Sequence, residues 1–268
     1  MNQLHYHLGG PFYIHGFSLM LALALVIFSW LVWHALNKRR LITRHDFISL
    51  VTEASLAGIF GARMMHVLSE WGDYIQAPWQ IFALWQGGLS VIGGVLGVLG
   101  YSAYFLHSHH LPLLPILDTA ALYAPLAHAI ARIGCLLSGC CFGAPMENSS
   151  CWSISYTGYG ETGVPFDVPV YPTQLYSALI FVVFFLILNY VLAKRSLPSG
   201  TLLYTYLLML AGERFIVDFW RGDRIMTDCC TLLSVQQVIA VIFAIFVCAT
   251  YVFILRSNRG HTSREKKH

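Results

Sequence analysis

Charge is scarce in this sequence, and its scarcity excludes most classes of soluble protein. Only 11% of the 268 residues are charged and 57% are hydrophobic, whereas soluble domains carry roughly 25% charged residues. The formal net charge of +3 is too small to indicate a nucleic-acid partner. Internal repeats, low-complexity segments and a soluble domain are also absent, so we expect one membrane domain over residues 1–268.

The sequence contains several long runs of apolar residues. Runs of about 20 apolar residues predict transmembrane helices, and the third and fourth runs here contain residues that favour breaks. The first run follows a neutral leader, so we expect it to stay in the membrane rather than be cleaved as a signal peptide. We predict an all-α polytopic membrane protein with seven spans, at 13–36, 47–69, 79–106, 113–139, 171–193, 201–220 and 232–255.

The basic residues predict the orientation of these spans. Eleven of the sixteen follow the first, fifth or seventh span. Because basic loops stay in the cytoplasm, the N-terminus is predicted to lie outside and the C-terminus inside. The segment 140–170 then forms an external loop, whose tyrosines and glycines favour a structured lid over a linker. The basic residues concerned are Lys38, Arg39, Arg40, Arg44, Lys194, Arg195, Arg256, Arg259, Arg264, Lys266 and Lys267.

Three arginines, Arg63, Arg132 and Arg214, lie within the apolar spans. A guanidinium in hydrocarbon costs several kcal/mol unless it meets a partner or a water-filled cavity. Its planar fork of donors suits carboxylate or phosphate. The three arginines therefore suggest a fixed anionic guest such as a lipid phosphate.

Two helical stripes extend this pattern. His128, Arg132 and Cys135 are spaced to share one face of a helix, and so are Arg214, Asp218 and Arg221. A purely structural alternative pairs Arg214 with Asp218, but Arg221 then leaves surplus positive charge.

Glycines and one amide complete the candidates from pattern alone. Four glycines within 87–94 weaken a helix, and close helix packing through small residues, including Gly93 and Gly97, is the favoured explanation for them. Gln174 stands in the first turn of the fifth span, where it can line an entrance.

Five cysteines fall on the predicted outer side, where an oxidising compartment favours disulfides. Pairing of Cys140 or Cys141 with Cys229, Cys230 or Cys151 is the expected arrangement; free thiols and catalytic redox chemistry are the alternatives. The spacings lack a second metal-type pair. We therefore expect no metal, and no cofactor pattern is present.

Five segments occur together in a familiar order: 87–94, 132–143, 172–176, 214–223 and 233–236. They resemble the bacterial phosphatidylglycerol–prolipoprotein diacylglyceryl transferase family, which has seven spans in the inner (cytoplasmic) membrane. The resemblance implies transfer of sn-1,2-diacylglyceryl from phosphatidylglycerol to the lipobox cysteine thiol of a preprolipoprotein, with release of glycerol 1-phosphate. The implied partners are phosphatidylglycerol, the preprolipoprotein and membrane lipid.

The resemblance also suggests roles for individual residues. Arg132 and Arg214 match the principal headgroup arginines, and developing phosphate charge is what a fixed arginine stabilises. Gly88, Ser90 and Gly94 would shape the cavity near the phosphate. The remaining substrate-binding candidates are Arg63, Gly134, Cys135, Gln174, Asp218, Arg221 and His15.

The sequence departs from the family pattern where the thiol is activated. Ile92 replaces a histidine proposed for that step, and His128, His15 or His66 are candidate replacements because a neutral imidazole can accept a thiol proton. We expect His128 to be catalytic because it shares a face with Arg132.

Other departures fall in the remaining motifs. The chain has Cys135 where the family has asparagine and Cys140 where it has glutamate. It also has His15 and Leu210 in place of two tyrosines, and Asp218 in place of a glutamate. The departures leave open a paralogue with another acceptor, or a membrane thiol-disulfide oxidoreductase. A transporter is disfavoured because no related halves are visible.

Overall fold

The computed structural model describes residues 5–7, 13–83, 88–146, 153–156, 168–195, 197–222, 224–227 and 230–265. Eight α-helices lie in this described part. They are α1 (Gly16–Lys38), α2 (Arg44–Ser69), α3 (Trp71–Gln76), α4 (Val91–Ser108), α5 (Leu113–Ser138), α6 (Thr173–Leu186), α7 (Thr201–Val217) and α8 (Val235–Glu265). A π-helical segment, Ile187–Leu192, continues α6.

The apolar runs coincide with helices, as predicted. Five helical segments are long and apolar enough to cross a membrane: α1, α2, α5, α6 with its π-helical continuation, and α8. The protein is therefore a multi-pass membrane protein. The helices α4 and α7, with 18 and 17 residues, occupy the other two predicted spans.

Two short antiparallel strand pairs accompany the helices and were not predicted. The first joins β1 (His5–His7) to β2 (Tyr13–His15), with His5 opposite His15. The second joins β3 (Met226–Thr227) to β4 (Cys230–Ser234). Both pairs lie just before a long helix, α1 or α8, and so fix how the chain enters it.

The third predicted span is broken, whereas the fourth is not. A 3₁₀-helix, Pro78–Phe82, precedes the break, and α4 begins only at Val91, where Ser90 Oγ accepts the Gly93 N–H at 3.5 Å. In contrast, α5 continues through Pro125, so the break expected in the fourth span was wrong.

Two compact units divide the chain, one of residues 33–116 and one of residues 1–32 with 117–268. The first is held by glycine contacts between α2 and α4. A Cβ at Gly93 would lie 2.3 Å from the Gly61 carbonyl oxygen, and one at Gly97 would lie 2.3 Å from the Ala57 carbonyl oxygen. No larger residue fits these positions without a shift, which confirms the explanation by close helix packing. A single domain over the chain stays a prediction.

The second unit is built on α5, α6, α7 and α8. The carboxylate of Asp118, in α5, accepts the backbone N–H groups of Gly200 and Leu203 at 2.6 and 2.8 Å and so caps the start of α7. Asn189 Nδ2 donates to the Leu122 carbonyl at 2.7 Å and ties the π-helical segment to α5. These contacts fix the start of α7 and the π-helical segment at defined positions along α5.

A loop after α5 joins the ends of three elements in this unit. The Gly143 N–H donates to the Tyr171 carbonyl at 2.9 Å, and the Ala144 N–H to the Trp220 carbonyl at 2.9 Å. Isolated bridges pair Val170 with residues 145 and 154. The described parts of segment 140–170 are thus hydrogen-bonded to the start of α6 and the end of α7, while a lid function stays a prediction.

Candidate functional site

Arginines from α5 and α7 meet in the larger unit. The charges of Arg132 and Arg221 act on Arg214, together with the carboxylates of Glu213 and Asp218. Arg221 itself is only 9% exposed. The charges of Arg132, Arg214 and Arg221 therefore interact, whereas the expected convergence of Arg63 with Arg132 and Arg214 stays a prediction.

Glu213 fixes one side of this group. It is 2% exposed, its Oε1 accepts the Ser177 hydroxyl at 2.5 Å, and the same oxygen lies 3.7 Å from Arg132 Nη2. A buried carboxylate with two such partners orients the guanidinium. Neither Glu213 nor Ser177 was predicted as a site residue, because their contact joins different helices and leaves no trace in local spacing.

Asp218 is held by a separate set of partners. It is 1% exposed, accepts the Ser234 hydroxyl, and lies 3.4 Å from Arg224 Nε. Gln237 Oε1 accepts from both the Ser234 N–H at 3.0 Å and Arg224 Nη2 at 3.3 Å. Asp218 thus contacts Arg224, which was not predicted, and its charge also acts on Arg214, so the structural Arg214–Asp218 alternative stays open.

Within the described part of the chain, the arginines of this group outnumber its carboxylates. Four arginines, at positions 132, 214, 221 and 224, accompany two buried carboxylates, at positions 213 and 218. Such a surplus in an apolar protein favours an anionic ligand.

His128 lies one turn before Arg132 and is enclosed by aromatic residues. Its Nδ1 is 3.2 Å from Tyr206 Oη, and its ring packs edge-on against Phe181 with centroids 4.9 Å apart. Tyr206 and Phe181 are both buried. A structural role is sufficient to explain these contacts, and a catalytic role for His128 stays a prediction.

Arg63 belongs to the smaller unit, where backbone carbonyls take up its donors. It donates to Ile81, Gly88 and Ala83 at 2.9, 3.0 and 3.3 Å, and also to Gln80. Its guanidinium carbon is 5.4 Å from the centre of the Tyr74 ring. Arg63 therefore ties segment 80–88 to α2, and its role in substrate binding stays a prediction.

The predicted glycine and serine positions differ in what they require. Gly88 has φ +71°, and a Cβ there would lie 2.3 Å from His66 Nε2. Ser90 caps α4, and Ile92 is 65% exposed. At Gly94 an added Cβ would make ordinary contact, 3.5 Å from Ala62 Cβ. The structure thus explains Gly88 and Ser90 through backbone geometry.

Gly134 and His15 lie near the N-terminal part of the chain. A Cβ at Gly134 would come within 2.9 Å of Met20 Cβ, so this glycine allows α1 and α5 to approach. His15 belongs to β2, and its side chain lies outside the described residues. Binding roles for both stay predictions.

Three cysteine thiols gather where α5 ends. The Sγ atoms of Cys135, Cys140 and Cys141 all lie within 4.8 Å of one another. The thiols of Cys140 and Cys141 are free, so the disulfide expected for either of them is not formed. Cys151 and Cys229, and the side chain of Cys230, lie outside the described residues.

These thiols interact strongly. The pKa of Cys141 is lowered, because thiol hydrogen bonds from Cys135 and Cys140 stabilise its thiolate and the charges of Arg221 and Arg132 add to this effect. The pKa of Cys140 is raised by its hydrogen bonds with Cys135 and Cys141. Burial raises the pKa of Tyr156, whose hydroxyl accepts from Gln174 Nε2 at 3.2 Å.

Helices long and apolar enough to cross a membrane, a group of arginines with two buried carboxylates and a cluster of thiols together define a polytopic membrane protein. The family model for prolipoprotein diacylglyceryl transferase matches residues 3–253. The chain belongs to this family, which confirms the resemblance drawn from the sequence.

Relatives named phosphatidylglycerol–prolipoprotein diacylglyceryl transferase extend the match over most of the chain. The Dehalococcoides mccartyi protein is 31% identical over 254 residues, 93% of both chains. The Lactobacillus gasseri protein is 30% identical over 227 residues, 84% of this chain and 81% of its own. The Bacillus velezensis protein is 26% identical over 265 residues, 98% of this chain and 95% of its own.

Proposed function

We propose that this protein is a phosphatidylglycerol–prolipoprotein diacylglyceryl transferase of the bacterial inner membrane. It transfers sn-1,2-diacylglyceryl from phosphatidylglycerol to the lipobox cysteine thiol of a preprolipoprotein and releases glycerol 1-phosphate. Family membership supports the reaction. The observation that carries the proposal is the surplus of arginine over carboxylate among the described residues around Arg132, Arg214 and Arg221.

The chemistry explains why such a surplus is useful. The acceptor sulfur forms a bond to the glyceryl carbon that carries the phosphate, while the carbon–oxygen bond breaks and its electron pair goes to the phosphate oxygen. The thiol loses its proton. A singly charged phosphodiester thereby becomes a phosphomonoester with more negative charge, and fixed guanidinium groups in a low-dielectric site stabilise that increase.

Individual roles follow from the contacts. Arg132 and Arg214 bind the phosphate, and Arg221 adds charge beside them. Glu213 and Ser177 hold Arg132 in place. In this proposal His128, one turn from Arg132, accepts the thiol proton.

Two further predicted residues of the larger unit, Gln174 and Asp218, act beside the phosphate. Gln174, 1% exposed and hydrogen-bonded to the Cys140 carbonyl at 2.8 Å, borders the phosphate end. Asp218 contributes through its contact with Arg224.

The topology in this proposal has seven spans, with the N-terminus outside and the C-terminus in the cytoplasm. Helices α4 and α7 complete the seven. At 1.5 Å per residue their 18 and 17 residues extend about 26–27 Å, close to the roughly 30 Å of hydrocarbon in a bilayer. The basic residues that follow the first, fifth and seventh predicted spans favour this orientation; those of the seventh include Arg256, Arg259 and Arg264 in the last part of α8. The loop after α5 then lies at the outer leaflet.

The test is an assay with purified protein, phosphatidylglycerol vesicles and a lipobox peptide. Mass spectrometry detects the diacylglyceryl thioether, and an enzymatic assay detects released glycerol phosphate. We expect both products from the wild type and from an Arg44→Ala control at the exposed start of α2, and neither from Arg132→Ala or Arg214→Ala. Normal turnover in both arginine variants would refute their role.

Two further outcomes separate the alternatives. Release of glycerol phosphate without peptide product would assign the same lipid donor with a different acceptor. Absence of both products from a wild-type protein with normal thermal unfolding would overturn the proposed function.

A further inference from the structure

The three clustered cysteines form a side-chain group that the transfer mechanism above does not use. Cys135 belongs to the last turn of α5, and the chain reverses just after it. Gly139 and Cys141 have φ values of +67° and +60°, and this left-handed backbone returns Cys140 and Cys141 toward Cys135. The result is three sulfur atoms within 4.8 Å of one another.

Hydrogen bonds fix the backbone that carries these sulfurs. The Cys140 N–H donates to the Cys135 carbonyl at 3.1 Å. From the start of α6, Gln174 Nε2 donates to the Cys140 carbonyl and Thr173 Oγ1 to the Cys141 carbonyl, both at 2.8 Å. Thr173 and Gln174 are buried. The cysteines therefore have defined positions and are not recruited from a free loop.

The spacing is close to that of a metal site. A tetrahedral zinc ion with Zn–S bonds of about 2.3 Å needs sulfurs roughly 3.8 Å apart. The three sulfurs, all within 4.8 Å of one another, are close to this spacing. An all-sulfur donor set selects soft and borderline ions and rejects magnesium or calcium, which prefer oxygen.

The surrounding charge suits a thiolate complex. Three thiolates with Zn²⁺ carry a net charge of −1. Arg221 and Arg132 lie close enough to act on the Cys141 sulfur, and their positive charges offset that excess. A bare cation without thiolates would instead be repelled.

We propose that Cys135, Cys140 and Cys141 bind a zinc ion that keeps one coordination position open. Three protein ligands with a free fourth position are the arrangement of catalytic zinc sites. Near the cluster, Gln174 Oε1 is buried with no hydrogen-bond partner in the described part of the chain. It is available to accept a hydrogen bond from an N–H group next to the sulfur bound at the fourth position.

We assign the open coordination position of the zinc ion to the acceptor thiol, a step that rests on the proposed function. A thiol that coordinates zinc is deprotonated, and its proton passes to His128, the acceptor in the proposed function. The bound thiolate then forms the sulfur–carbon bond, the carbon–oxygen bond breaks, and glycerol 1-phosphate leaves with the electron pair. Zinc would thereby activate the thiol in a chain that has Ile92 in place of the histidine.

Metal binding is tested on the purified full chain, reduced and then freed of metal by chelation. Adding Co²⁺ as a spectroscopic probe should give thiolate-to-cobalt charge-transfer absorption and intense tetrahedral visible bands at one equivalent, and Zn²⁺ should displace it. Cys135→Ser and Cys141→Ser should lose this spectrum. Cys248→Ser, at an exposed position in α8, should keep it.

Two results would overturn the site. One is a wild type that binds no stoichiometric cobalt or zinc after reduction. The other is a spectrum that persists in both cluster variants, which would place the metal elsewhere.

A second measurement separates this inference from the proposed function. The chelated protein should lose thioether formation and regain it with added Zn²⁺. Full transfer by a metal-free protein would overturn thiol activation while leaving the transferase intact. Zinc binding with no transfer under any condition would instead overturn the proposed function and keep the metal site.

Discussion

Replacing Glu213 by glutamine tests whether a buried carboxylate positions Arg132. Glu213 is 2% exposed. Its Oε1 atom accepts the Ser177 hydroxyl at 2.5 Å and lies 3.7 Å from Arg132 Nη2. Glutamine keeps the size of the side chain and removes its charge. Arg132 therefore loses its attraction to α7, while the packing around position 213 stays nearly unchanged.

The magnitude follows from the geometry of the pair. Breaking a fully buried ion pair costs about 3–5 kcal/mol, but Arg132 is 22% exposed and the contact is long, so about 1–2 kcal/mol applies here. A weaker bond from Ser177 adds about 1 kcal/mol. If Arg132 binds the phosphate most tightly in the transition state, a loss of about 2–3 kcal/mol lowers kcat/KM by roughly 30- to 150-fold.

The assay measures initial rates of glycerol phosphate release against phosphatidylglycerol concentration. We expect the loss mainly in kcat, because phosphate charge grows during the reaction. Glu53→Gln, at an exposed carboxylate on α2, is the matched control and should stay within twofold of wild type. A folded Glu213→Gln protein with kcat/KM within twofold of wild type would refute the positioning of Arg132 by Glu213.

Two further predictions concern stability, measured by thermal unfolding in detergent. Gly93→Ala should lower the unfolding free energy by about 1–3 kcal/mol, because the added Cβ would lie 2.3 Å from the Gly61 carbonyl oxygen. The control Gly100→Ala, where an added Cβ would have no heavy atom within 4 Å, should be neutral or slightly stabilising. Equal effects of the two substitutions would contradict the packing explanation. Asp118→Ala should lower the unfolding free energy by about 2–5 kcal/mol, because two N–H groups at the start of α7 lose their acceptor. A variant that melts at the wild-type temperature would show that this cap contributes nothing to stability.

Local patterns predicted the parts of the structure that depend on local spacing. Apolar runs located the long helices, and the glycines of 87–94 located the break before α4. The predicted helical stripe of Arg214, Asp218 and Arg221 was wrong, because α7 ends at Val217, Asp218 begins a 3₁₀ turn and Arg221 has extended backbone. The charge of Arg221 nevertheless acts on Arg214, through the turn and not through helical spacing.

Contacts between distant segments were not predictable. Ser177 and Glu213 are separated by 36 positions, and spacing along one helix cannot show which neighbour faces it. Arg224 was missed for the same reason, since its contact with Asp218 depends on how the chain folds back after α7. The reversal at Gly139, by contrast, is local, and a left-handed glycine there was the available signal for the three-thiol cluster.

The binding of Arg63 to backbone carbonyls also constrains how the chain enters the membrane. Of the five candidate spans, α2 has the lowest mean hydropathy, and an arginine at the centre of a span costs about 2.5–3.5 kcal/mol during insertion. The carbonyls that receive Arg63 belong to residues 80–88, which leave the ribosome after α2. Stable integration of α2 therefore waits for these residues, and α2, the segment that follows it and α4 are expected to enter the bilayer as one cooperative unit.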